Sequence, residues 1–141
     1  MAPLPLSRDA AIVVGLAGTA LAFASSTDDE VERWLRPLRL YGDAAAALQA
    51  LAIGEARLTI VDTRAEHVSS DSSPERTVEL IVGAAAELAA DRRSACVGTL
   101  DILIAVMRHY PGAFERALET RGSDRAELVD RLARTLAAPL R

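Results

Sequence analysis

The sequence states one pattern twice. Val97-Gly98-Thr99-Leu100-Asp101-Ile102-Leu103-Ile104-Ala105-Val106-Met107, followed by Pro111-Gly112-Ala113-Phe114-Glu115-Arg116-Ala117-Leu118, has a weaker echo upstream. The echo is Ser25-Ser26-Thr27-Asp28-Asp29-Glu30-Val31-Glu32-Arg33-Trp34-Leu35, followed by Pro37 and Gly42-Asp43-Ala44-Ala45-Ala46-Ala47-Leu48. The separation drifts from 72 residues at the threonine pair to 70 at the leucine pair, as it would if loops between matched helices differed in length. Ala11 to Ala22 (AIVVGLAGTALA) lines up in the same way with Glu79 to Ala90 (ELIVGAAAELAA). A duplication of this reach predicts a single pseudo-symmetric helical unit rather than two unrelated domains.

A chain of 141 residues fits one domain and can bury enough surface to fold without metals or disulfides. Half of its residues are hydrophobic but only 4% are aromatic, so alanine and leucine carry the apolar content. Both are strong helix formers, and an all-α fold is expected. The best candidate strand, Leu58-Thr59-Ile60-Val61, has no convincing partner in the sequence.

All sixteen basic residues are arginine. The absence of lysine removes the phosphate-loop lysine, the Schiff base and the lysine general base together. A net charge of -4 argues against nucleic acid as a partner, because phosphate binding needs a basic face. Arg33, Arg36 and Arg39 form a local basic group that reads either as a contact for an acid or as a solvated helix face. Cys96 is the one cysteine, which excludes an intramolecular disulfide and a CxxC metal site and fits a reducing, cytoplasmic setting. Between Ala95 and Val97 it reads as a small packed hydrophobe, with a reactive thiol as the alternative.

The uncharged run from Ala10 to Ala24 resembles a signal-peptide core ending in Ala22-Phe23-Ala24. Arg8 and Asp9 cancel in front of it, so the positive leader region is missing, and the run is too short to span a bilayer as a helix. A first core helix is therefore expected, with no membrane association and with export as the alternative.

Helix starts follow from capping chemistry, in which a short polar side chain accepts from the free amides of the first turn. Ser7 opens the first helix, and Thr27 with Glu30 forms a capping box for the second, whose Val31, Trp34, Leu35 and Leu38 share a face. Pro37 should end or kink that helix. Asp43 caps an alanine-rich helix reaching about Ala52, and a fourth helix is expected from Gly54 to about Ala65. The serine-rich segment 66–72 reads as a linker. Ser73-Pro74-Glu75 restarts a helix with a cap, a proline at the first position and an acid at the positive dipole end. Val78, Ile81, Val82, Ala85 and Leu88 make its apolar stripe. After a loop at Asp91 to Gly98, Thr99 is placed to cap a buried helix from Leu100 to about His109. A short helix follows Pro111, and Asp124 with Glu127 starts a last one carrying Leu128, Leu132 and Leu136. The expected architecture is eight helices in one domain covering 1–141, a first repeat at 7–65 and a second at 73–141.

A helix, a loop ending in Val-Gly-Thr, an apolar helix, a short Gly-Ala-led helix and a final helix: this order resembles the Clp N-terminal repeat. That domain fronts the Clp family of AAA+ unfoldases, and the ClpC type is the most similar. Cys96-Val97-Gly98-Thr99 followed by Ile102-Leu103-Ile104 matches the family signature at the Gly-Thr and the helix, while Leu100 stands where the family has an acid. In the first copy, Thr27-Asp28 keeps threonine and acid but loses the glycine. The resemblance implies a bacterial, non-catalytic domain that binds proteins or peptides: a Clp unfoldase, an adaptor or a client. It also implies that Thr27, Asp28 and Thr99 are the candidate ligand-binding residues. In the ClpC branch this threonine and acid can hold phosphorylated arginine, the helix-start amides taking the phosphate and the carboxylate the guanidinium. Only Thr27 with Asp28 forms the complete pair here, and both threonines also read as plain caps. No phosphate loop or ATPase module is present in the sequence, so the role expected is adaptor, decoy or regulator. A helical regulatory or dimerisation module unrelated to proteolysis is the alternative, and either a monomer or a homodimer is compatible.

Catalytic readings find little support. His67 and His109 have no histidine or cysteine at metal-ligand spacing, so neither a metal nor a cofactor is expected. None of the serines lies in a G-x-S-x-G elbow. Asp28, Asp29, Glu30 and Glu66 could gather as a carboxylate cluster, but acids in a first turn already have a structural reason. Gly15-Leu16-Ala17-Gly18 lacks the preceding strand of a dinucleotide loop and reads as close helix packing.

Overall fold

A computed structural model describes residues 4–50, 73–120 and 125–137 of the chain. Within them the fold is all-α, with seven helices: α1 (Arg8–Leu21), α2 (Thr27–Leu38), α3 (Gly42–Ala50), α4 (Pro74–Asp91), α5 (Thr99–His109), α6 (Pro111–Thr120) and α7 (Arg125–Ala137). The expected helix at Gly54 to Ala65, the strand candidate at Leu58 to Val61, the linker 66–72, His67 and the Asp124 cap lie outside the described residues. Among the described residues no helix is long and apolar enough to cross a membrane.

The expected serine caps form. Ser7 Oγ accepts from the Ala10 amide at 3.1 Å and Ser73 Oγ from the Arg76 amide at 3.3 Å, each in an extended conformation that turns its hydroxyl back over the first turn. Proline occupies the first position of α4, where its missing N–H costs nothing. Pro37 stops α2 within one residue, at Leu38, and is itself buried. At the end of α4 the chain leaves by a Schellman turn. Arg93 takes the left-handed conformation (φ 56°), its N–H donates to Ala90 O, and the Ser94 N–H reaches back to Ala89 O.

The core is organised around α5. Thr99 to Leu103 and Ala105 to Met107 are all buried, and α5 packs against α1, α2, α3, α4 and α6. A helix apolar almost all round has no alternative to burial. The other helices each turn one stripe inward: Ala10, Val13, Ala17 and Leu21 from α1; Val31, Trp34, Leu35 and Leu38 from α2; Ile81, Ala85 and Ala89 from α4; Phe114, Ala117 and Leu118 from α6. Small alanines let α1 and α4 approach closely, and at Gly18 of α1 an added Cβ would stand 3.5 Å from Val78 Cγ2. The N-terminal segment is tied down by one parallel bridge, in which the Val97 N–H donates to Pro5 O and the Ser7 N–H to Val97 O, both at 2.8 Å.

Leu103 is fully buried in this cluster. Leu103→Ala is expected to cost about 3 kcal/mol, through lost burial and the cavity left behind. Urea titration of the two proteins measures it, and an unchanged midpoint would remove Leu103 from the core.

Candidate binding site

The two threonine loops are built differently from what their sequences predict. At the head of α2 the N-cap is Ser26, not Thr27: Ser26 Oγ accepts from the Asp29 amide at 3.0 Å. The Asp29 carboxylate accepts the Ser25 N–H at 2.9 Å, so the cap sits one residue upstream of Thr27 and the acid holds the residue before it. Serine and threonine cap about equally well and either acid can accept such an amide, so the sequence left both registers open. Thr27 is thus the first helical residue, half-buried, and Asp28 beside it is exposed. Nε and Nη2 of Arg116 on α6 both donate to Asp28 Oδ1, at 3.1 and 2.8 Å. The carboxylate that the resemblance assigns to an incoming guanidinium already carries one of the chain's own.

At the head of α5 the N-cap is Gly98, whose N–H donates to Asp101 Oδ2 at 3.0 Å. Thr99 does not cap this helix. Its hydroxyl crosses to α3 and accepts the Ala44 N–H at 3.0 Å, so a residue 55 positions away caps α3 in place of Asp43. This contact explains Gly42, which has φ +71° and would set a Cβ only 2.5 Å from Thr99 Oγ1. Asp101 has no solvent exposure and is neutralised by Arg92, whose Nε donates to Oδ1 at 3.2 Å and whose Nη2 reaches both carboxylate oxygens. Thr99 and Asp101 therefore lock α3, α4 and α5 together.

A third polar contact joins α2 to the end of α5. The Tyr110 hydroxyl donates to Glu30 Oε1 at 3.0 Å. Burial pushes the Tyr110 phenol above its ordinary value, and the charge and hydrogen bond of Glu30 push it further. The buried Trp34 indole N–H opposes the shift from nearby without reaching hydrogen-bond geometry.

Three of the four acids that could have gathered as a carboxylate cluster pair elsewhere, Asp28 with Arg116, Asp29 with Arg33 and Ser25, and Glu30 with Tyr110, while Glu66 lies outside the described residues. Among the described residues no group of three or more His, Cys, Asp or Glu is gathered to hold a metal ion. His109 is exposed in the last turn of α5, edge-on to Tyr110, and Cys96 is half-buried in the loop before α5. The structure therefore places Thr27 and Asp28 side by side in the first turn of α2 and draws Thr99, the first residue of α5, into the core. Arg116, Arg92 and Tyr110 were missed from the sequence. Asp101, three residues after the Gly98 cap, carried the one readable signal. Compared with known proteins, the sequence matches no protein-family model and no curated protein.

Removing the Thr99 hydroxyl should leave the Ala44 amide buried without an acceptor. Thr99→Val is expected to cost about 1–2 kcal/mol in chemical denaturation, while Thr99→Ser retains most of that stability. The Tyr110 shift also has a defined sign. With its folded pKa raised, the unfolded chain loses this proton first, so stability is fully present below the ordinary tyrosine value and falls as pH rises beyond about 10. Tyr110→Phe should flatten this alkaline limb in a melting-temperature series against pH. An alkaline limb unchanged by the substitution would contradict the assignment.

Proposed function

We propose that the chain is a non-catalytic protein- or peptide-binding domain of Clp N-terminal type. On this reading it is two four-helix repeats in one eight-helix, pseudo-twofold bundle, acting in the cytoplasm as adaptor, decoy or regulator of Clp-dependent proteolysis. The observation that carries it is reciprocity. The loop before α5 reaches α3 through Thr99 and Ala44, and the start of α2 reaches α6 through Asp28 and Arg116. Each repeat thus touches the third helix of the other.

The burial pattern supports the same exchange. Buried Val13, Ala17 and Leu21 correspond to buried Ile81, Ala85 and Ala89. Val31, Trp34, Leu35 and Leu38 correspond to Leu103, Val106, Met107 and Tyr110, and Ala44, Ala47 and Leu48 to Phe114, Ala117 and Leu118. Helix neighbours follow suit, α1 packing on α2 as α4 packs on α5, and α2 on α6 as α3 on α5. Within this frame the first turn of α2, with Thr27 and Asp28, is the binding element, since Thr99 is committed to the core. A ligand guanidinium reaching Asp28 would displace Arg116, and an exposed, solvent-screened ion pair of this kind is weak enough to be exchanged.

The test is retention of Clp unfoldases, their adaptors or client peptides on the immobilised protein, with Asp28→Ala in parallel. Asp28 is exposed, so the substitution should leave the protein folded, losing only the pair with Arg116 and one first-turn charge. It is expected to weaken arginine-bearing ligands. Failure to retain any of these partners would contradict the reading, and retention indifferent to Asp28→Ala would move the binding element elsewhere.

A further inference from the structure

No further inference is drawn: the strongest candidate, the exposed apolar face of α1 that carries Leu16, with Phe23 in the turn beyond it, is an unpartnered surface, and nothing in the structure shows what covers it.

Discussion

A buried carboxylate organises this fold. Helix α5 is apolar on nearly every side, so it must run through the middle of the molecule, and its amino end then has free amides in a place water does not reach. Asp101 answers that need, accepting the Gly98 N–H while Arg92 neutralises its charge. Removing Arg92, itself partly exposed, would leave the fully buried Asp101 charge uncompensated, a loss of several kcal/mol. The pair also fixes geometry. Because Arg92 leaves the end of α4 and Asp101 sits in the first turn of α5, it sets the angle of the turn between the two helices. That turn presents Thr99 to α3.

Three further polar contacts between the described helices share one logic. Each uses a side chain from a helix terminus to satisfy another element: Thr99 with the start of α3, Asp28 with α6, Tyr110 with Glu30 of α2. Apolar stripes tell the helices which faces to bury but leave them free to slide. Directional bonds at the termini remove that freedom at little cost, since termini have unpaired groups in any case. Their burial differs, and so does their meaning. Thr99 is sealed in and serves the fold, whereas Asp28 and Arg116 lie at the surface, where a partner can compete for either.

Much of the fold was readable from the chain because its stripes are regular. Ser7, Ser73 and Pro74 declare helix starts, and Val31, Trp34, Leu35 and Leu38 keep one helical face whatever their partners. The errors all concern which of several adjacent polar residues does a job. Ser26 and Thr27 are equally able to cap α2, and the choice depends on where Asp29 can return a bond. Thr99 looks like the cap of its own helix because a sequence cannot display an amide 55 residues away. Thr27 and Asp28 stood out as an adjacent hydroxyl and acid at a helix start. The engagement of Asp28 by Arg116 did not, because an exposed arginine on a charged helix face carries no periodic signal.

Site-resolved amide hydrogen exchange tests the central claim most directly, namely that α5 is the buried axis and that Thr99 ties it to α3. The account expects the slowest exchange in α5 and in the inward positions of α2, with the Ala44 amide, at the first turn of α3, as protected as the core. Exchange in α5 as fast as in α6 or α7, or an Ala44 amide that exchanges like a frayed helix end, would contradict it.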